Sequence, residues 1–339
     1  MAKKGKILVY FFIFAFILAV GAFFYVWQKI YYSHGSYRES VIFEIKKGES
    51  NSQIAENLKS REIISGKVYF WIYLKTHRLQ NKVYPGQYLL SGNLKIPEIA
   101  SAITNSKRTY EKVLFREGIT AEEMAEELSN HGFDGKVFLD LVNSPPEEIL
   151  SLFSVVSGKS KSAALEGYLF PDTYYFSKDA TPEGILKKIL NNTEIKITAD
   201  MKNKIRSQER SLFEVLTMAS IIEKEVKTDQ DRAMVSGIFW NRVEVGQALQ
   251  SCATLAFILK ENKKQYSFED TRVNSPYNTY INRGLPPGPI GNPGLASIMA
   301  AIYPQSTDYN YFLTDPATGK TIYSKTIVEH NANKARYGL

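Results

Sequence analysis

The chain has 339 residues, 44% hydrophobic and 23% charged, which is room for a membrane anchor plus two cored domains and excludes disorder over most of the length. The formal charge of +7 gathers at the start, where residues 1–29 hold Lys3, Lys4, Lys6 and Lys29 and no acid; without those four, +3 remains, too thin a basic surface for a nucleic-acid partner. Cys252 is the single cysteine and His34, His77, His131 and His330 are scattered, so the sequence offers no intramolecular disulfide, no metal cluster and no cofactor motif.

Ile7 to Trp27 is a run of 21 residues without a charge. As a helix it would span about 31 Å, close to the hydrocarbon thickness of a bilayer. A cleaved signal peptide has a shorter apolar core and a small-residue site after it. Here bulky Phe23, Phe24, Tyr25 and Trp27 follow Gly21 and Ala22, which favours an uncleaved anchor. Lys3, Lys4 and Lys6 on the short side predict a cytoplasmic N-terminus, with Tyr25, Trp27, Tyr31 and Tyr32 at the outer interface. Residues 1–6 are then a cytoplasmic tail, 7–27 the anchor and 28–40 a linker.

A small α+β module is expected over 41–105. Val41–Ile45 reads as a strand, and Ser50 to Gln53 is a capping box opening a short helix along Ile54, Ala55 and Leu58. A second helix follows at about 67–76. Val83–Leu90 reads as a strand broken by the Pro85-Gly86 turn, and Pro97 opens a helix carrying Ile96, Ile99, Ala100 and Ile103.

The larger part, 109–339, begins with a strand at Tyr110–Phe115 and a second capping box, Thr120 to Glu123. Helices are expected at 135–143, 182–191 and 199–208, with a loop and strand over Leu165–Phe176 that carries Glu166 and Asp172. Ser211 to Glu214 opens a further helix. Others follow at 230–244, 252–260 and 294–303, with a Pro/Gly-rich stretch at 275–294, a hairpin at 309–324 and a C-terminal helix. The fold class is therefore α+β, with helices around a modest sheet in the larger domain.

The helix from Ser211 holds the most informative residue. Positions 212, 215, 216, 219, 222, 223 and 226 share a face, and all are apolar except Glu223. A buried acid is costly to ionise, which suits a proton donor. The competing reading is a structural ion pair with Lys224, Lys227 or Arg242. Glu225 lies about 200° round the helix from Glu223, so both acids are not expected in one cleft.

The string Met218-Ala219-Ser220-Ile221-Ile222-Glu223-Lys224-Glu225 resembles the signature of the endolytic murein transglycosylase (YceG-like) family. In the family's order come Leu165–Tyr174, Asn241-Arg242, Leu249-Gln250-Ser251, Ser275–Tyr280, Gly284–Ile290 and His330-Asn331. The likeness covers roughly residues 41–335 and the anchor. It departs at Cys252, where the family often has an acid.

The resemblance implies a lytic transglycosylase that cuts the MurNAc–GlcNAc bond of nascent peptidoglycan without water, leaving 1,6-anhydro ends and limiting strand length. The muramyl 6-hydroxyl is the nucleophile, so high effective molarity replaces a second carboxylate. Glu223, the first motif acid, is implied as acid and base. Candidates for substrate contact are Glu166, Asn241, Arg242, Gln250, Ser251, Tyr277, Asn278, Thr279 and Tyr280. The resemblance further implies a LysM-like module at 41–105, which binds glycan or only spaces the enzyme from the membrane, and partners among cell-wall synthesis proteins. The rivals are a two-carboxylate hydrolase pairing Glu223 with Glu166 or Asp172, and a silent membrane-tethered scaffold.

Overall fold

A computed structural model describes residues 2–33, 40–105, 109–157, 164–263 and 266–338, with side chains from Tyr10 onward. Residues 34–39 of the expected linker lie outside these. The protein is mixed α+β and divides into two compact units: Met1–Lys112 with Tyr175–Asp179, and Val113–Tyr174 with Ala180–Leu339.

The first unit starts with helix α1 (Ala2–Tyr31), which runs past Trp27 into the expected linker. Its stretch Tyr10–Tyr31 is long and apolar enough to cross a membrane. Strand β1 (Val41–Ile45), helices α2 (Asn51–Ser60) and α3 (Lys67–Thr76), strand β2 (Gly86–Leu90) and helix α4 (Ile96–Ile103) follow. β1 and β2 pair antiparallel, from Val41 opposite Leu90 to Ile45 opposite Gly86. The expected strand from Val83 starts only at Gly86, because Tyr84 donates its backbone N–H to Ile103 O instead (2.9 Å). The capping box at Ser50 is present, with Gln53 accepting from the Ser50 backbone. Phe43, Leu58, Phe70, Leu74, Tyr88 and Ile99 fill the core, and Ile30 from the end of α1 belongs to the same cluster.

Strands β3 (Tyr110–Leu114) and β4 (Thr173–Ser177) complete a sheet in the order β1-β2-β3-β4, and both run on from one unit into the other. The sheet expected within the larger domain is thus drawn mainly into the first unit.

The second unit is mostly helical. Helices α5 (Ala121–Asn130), α6 (Gly135–Asn143), α7 (Glu147–Leu150), α8 (Pro182–Lys196) and α9 (Ala199–Ser207) precede the central helix α10 (Leu212–Glu225). After it come α11 (Asp229–Glu244), α12 (Cys252–Leu259), α13 (Leu295–Ile302), the antiparallel hairpin of β5 (Tyr311–Thr314) and β6 (Thr321–Ser324), and α14 (Ile327–Tyr337). Helix α10 packs against α9, α11, α12 and α13. Its residues Val215 to Ile222 are all buried, so it is enclosed on every side rather than along one stripe. Each fully buried Leu, Ile, Val or Met there is worth roughly 1.5–3 kcal/mol, which makes this helix the spine of the unit. The capping boxes at Thr120 and Ser211 open α5 and α10 as the sequence predicts.

Candidate active site

Helix α10 ends in Glu223, Lys224 and Glu225, and total burial up to Ile222 leaves these three to diverge at the helix end. A cavity of about 930 Å3 opens beside them in the second unit. Its wall takes in the start of α5, Glu166, Lys224, Glu225, the first turns of α12, and Ser275, Tyr277 and Pro289 from the Pro/Gly-rich loop.

Glu225 lines this cavity. Its Oε1 accepts the Ser251 hydroxyl and the Ala253 backbone N–H (3.4 Å). Ser251 is the N-cap of α12, so the carboxylate also faces the positive end of that helix. Burial raises the Glu225 pKa above the ordinary carboxylate value, while the Ser251 and Ala253 donors and the Arg242 charge pull it down. Burial favours the protonated form of such an acid, and the same donors stabilise the carboxylate once the proton has been given up.

Glu166 is the second acid in the wall. It accepts from Ala121 N at the start of α5 (2.9 Å) and from Asn292 Nδ2 (2.7 Å). Burial pushes its pKa up to about 7, against the Ala121, Gly167 and Asn292 donors and the Lys224 charge. Both acids keep some surface open to the cavity. Asn292 is fully buried and also accepts from Gly167 N (2.8 Å) and Leu169 N (3.0 Å). Gly167 has φ +85°, and a Cβ there would lie 2.4 Å from Pro289 Cγ. Only glycine lets the Leu165–Tyr174 and Gly284–Ile290 segments meet at this point.

Glu223 takes a different direction and is not among the residues lining this cavity. Its Oε1 faces Arg232 Nη2 at 3.3 Å and its Oε2 accepts Gly294 N (2.9 Å), at the N-cap of α13. The Glu223 and Arg232 side chains are 7% and 11% exposed. The pair joins α10 to α11 and caps α13. Its cation is Arg232, not the Lys224, Lys227 or Arg242 considered from sequence. Glu223 and Glu225 thus diverge, as two acids about 200° apart on one helix should; with α10 buried all round, the apolar stripe does not say which of them faces the cavity.

The other candidates separate into wall and scaffold. Tyr277 lines the cavity, and its ring packs tilted at 45° against Phe257, with centroids 5.0 Å apart. Ser251 reaches the cavity through Glu225. Asn278 is fully buried, donating to Thr271 O (3.1 Å) and Val273 O (2.8 Å) while its Oδ1 accepts from Tyr280 N (3.0 Å). Thr279 accepts from Ser251 N (3.0 Å) and bonds Thr254 (2.9 Å). Both residues spend their polar atoms on shaping the loop rather than on sugar. The Tyr280 hydroxyl lies 3.1 Å from Cys252 Sγ, and Cys252 itself lines the cavity. Gln250 is exposed, with φ 51°. Asn241 donates to Thr307 O (3.0 Å). Arg242 is buried and donates to Leu249 O (2.6 Å) and Asn310 O (2.6 Å), which leaves only its charge to act on Glu225. Asp172 is held by Asn192 (3.1 Å) and Lys196 (3.4 Å), and these partners keep its pKa low despite burial. No group of three or more His, Cys, Asp or Glu side chains among the described residues is arranged to hold a metal ion. Sequence reasoning missed Lys224 and Asn292 as parts of the site; the available signal was that Lys224 lies inside one recognised string and Asn292 two residues after the end of another.

The cavity wall thus holds a largely buried acid with a hydroxyl and a helix N-terminus set against it, an arrangement of the kind that can give and take a proton. The chain belongs to the YceG-like family, whose model matches residues 43–336. A Bacillus subtilis (strain 168) protein named endolytic murein transglycosylase is 30% identical over 88% of this chain and 85% of its own length. A Streptococcus pneumoniae (strain D39) protein of the same name is 26% identical over 96% of this chain, which spans 64% of that longer relative. The crystal structure of a YceG-like protein from Listeria monocytogenes superposes with a TM-score of 0.61 at 34% identity, over 87% of this chain and 99% of that one.

Proposed function

We propose that this protein is an endolytic lytic transglycosylase of peptidoglycan, with Glu225 rather than Glu223 as its acid and base. The observation that carries the reading is the Glu225 carboxyl in the cavity wall, its pKa raised by burial and its Oε1 met by Ser251. Protonated Glu225 gives its proton to the glycosidic oxygen as the bond to the muramyl anomeric carbon breaks. The GlcNAc side leaves as an alcohol. The carboxylate then takes the proton of the muramyl 6-hydroxyl while that oxygen bonds to the anomeric carbon, closing the 1,6-anhydro ring and restoring the acid. Ser251 and Ala253 stabilise the carboxylate between the two transfers. Tyr277 offers a ring for a sugar face and Lys224 a cation for an anionic substituent.

The reading is tested by digesting isolated peptidoglycan with the full chain and weighing the products. Anhydro ends support it. Reducing ends would point to hydrolysis by Glu225 with Glu166, and no cleavage to a scaffold.

The proposal extends to the first unit. Lys3, Lys4 and Lys6 before the apolar helix support a single crossing with a cytoplasmic N-terminus, the remainder lying outside. Protease added to spheroplasts should then digest most of the chain; digestion of only the N-terminal tail would reverse the orientation. The β1-α2-α3-β2 order supports a LysM-like module. A cavity of about 380 Å3 between the Lys46–Asn51 and Gln80–Pro85 segments supports glycan binding there. Titration with N-acetylglucosamine oligomers, repeated on Asn81→Ala, tests this. Affinity unchanged by the substitution, or none at all, leaves a spacing role.

A further inference from the structure

Helix α3 reads Lys67-Val68-Tyr69-Phe70-Trp71-Ile72-Tyr73-Leu74-Lys75-Thr76. Phe70 and Leu74 are its buried side. On the opposite side Val68 is 63% and Trp71 48% exposed, with Lys75 one turn beyond Trp71 and its Nζ 4.6 Å over the indole. Val68, Trp71 and Lys75 therefore form one outward stripe with an apolar body and a cationic end.

The height of this stripe follows from α1. A helix rises about 1.5 Å per residue, so a span entering near Ile7 reaches the far edge of a ~30 Å hydrocarbon layer close to Tyr25 and Trp27. The Tyr25 ring lies 6.4 Å from that of Tyr69, and the Tyr31 ring 6.3 Å from that of Tyr73. Ile30 is buried in the module's core, with Val26 and Tyr31 packed against it. Helix α1 is continuous through Tyr31, so the rings of α3 stand at the level where the span leaves the membrane. Charge agrees with this. From Glu62 to Glu98 the sequence has no acid between, while Lys67, Lys75, Arg78, Lys82 and Lys95 fall inside the interval.

We infer that α3 is a membrane-surface helix, seating Val68 and Trp71 among the phospholipid headgroups around α1, with Lys75 and Arg78 against their phosphates. The inference rests on the reading of α1 as a membrane anchor. It places the module against the lipid surface instead of leaving it on a free tether. The outer aromatic ring of the span is then built from two helices.

The chain has three tryptophans. Trp27 lies on the span, Trp71 on α3, and Trp240 is buried in the second unit with its indole N–H on Ala301 O. Full-length protein is reconstituted in phosphatidylcholine–phosphatidylglycerol vesicles, with and without lipids brominated near the headgroup end of their chains. In Trp27→Phe the emission that remains should be partly quenched by bromine, and that quenching should vanish in Trp27→Phe/Trp71→Phe. Quenching of Trp71→Phe, which reports Trp27, with none in Trp27→Phe overturns the α3 inference and keeps the anchor. No quenching of Trp27 overturns the anchor, and the inference with it.

Discussion

Ser251 donates its hydroxyl to Glu225 Oε1 across 26 residues of sequence. The same Ser251 oxygen accepts Ala253 N (3.2 Å) and caps α12. One side chain thus fixes the start of α12, orients the acid at the end of α10, and sets the balance between its charged and neutral forms. Thr279 holds Ser251 in turn, its hydroxyl oxygen accepting the Ser251 backbone N–H.

The two motif acids should separate by what each variant loses. Glu225→Gln keeps the shape and an acceptor for Ser251 but carries no transferable proton, so anhydro-muropeptide release should fall by about 10²–10⁴. Its melting temperature should hold or rise, because an acid costly to ionise is gone. Glu223→Gln leaves Arg232, 11% exposed, without that charged partner. It should lower stability by about 1–3 kcal/mol and retain turnover while folded. A folded but inactive Glu223→Gln beside an active Glu225→Gln would return the chemistry to Glu223.

Ser251→Ala gives the pH test. The first step needs protonated Glu225, so rate is present below its pKa and lost as pH rises through it. The Ser251 hydroxyl favours the carboxylate form and lowers that pKa. Removing it should move the alkaline limb of kcat/KM to higher pH, with a loss of about 1 kcal/mol of stability from the missing cap. A limb that stays in place in an otherwise stable variant shows that a different group titrates.

The elements were legible where local chemistry decides them. Ser50, Thr120 and Ser211 open helices as capping boxes, and helix α6 begins and ends where the pattern sets it. The site was less so. The strings that gather at the cavity were recognisable, yet the choice between Glu223 and Glu225 depends on where Arg232 and Gly294 come from in space. A helix buried from Val215 to Ile222 has no polar face to reveal its orientation. The polar string Tyr277 to Tyr280 divides for a related reason, with Tyr277 in the cavity wall and Asn278 and Thr279 buried. Its hydroxyls and amides match a sugar in kind, but Asn278 and Thr279 satisfy the loop's own backbone and its neighbours.

Cys252 is the only thiol, and it lines the cavity. Burial raises its pKa, which slows attack by the thiolate at neutral pH. A maleimide should therefore label it slowly at pH 7 and faster as pH rises. The bulky adduct should abolish cleavage in step with labelling, while Cys252→Ala stays active and insensitive. Complete labelling with activity retained would mean that glycan is cut elsewhere on the protein.

Glu166 supplies the last prediction, on stability and on the reaction class together. Its carboxyl accepts Ala121 N and Asn292 Nδ2 and is pushed by burial to about 7, from an ordinary 4.5. The folded state therefore prefers the protonated form. Its contribution is fully present below pH 4.5 and is lost as pH rises through 7, an effect on the order of 3 kcal/mol. Glu166→Gln is neutral at every pH and keeps an oxygen for the same two donors, so it should lack this slope. Relative to the variant, the wild type should lose roughly 6–12 °C of melting temperature between pH 4.5 and pH 8. A constant difference across that range would show that Glu166 is not held protonated by the fold. The same variant separates the two chemistries. A lytic reaction through Glu225 needs no second carboxylate, and Glu166→Gln should keep most anhydro product. A hydrolase using Glu166 as nucleophile or base would lose its reducing-end product to the extent that Glu225→Gln does.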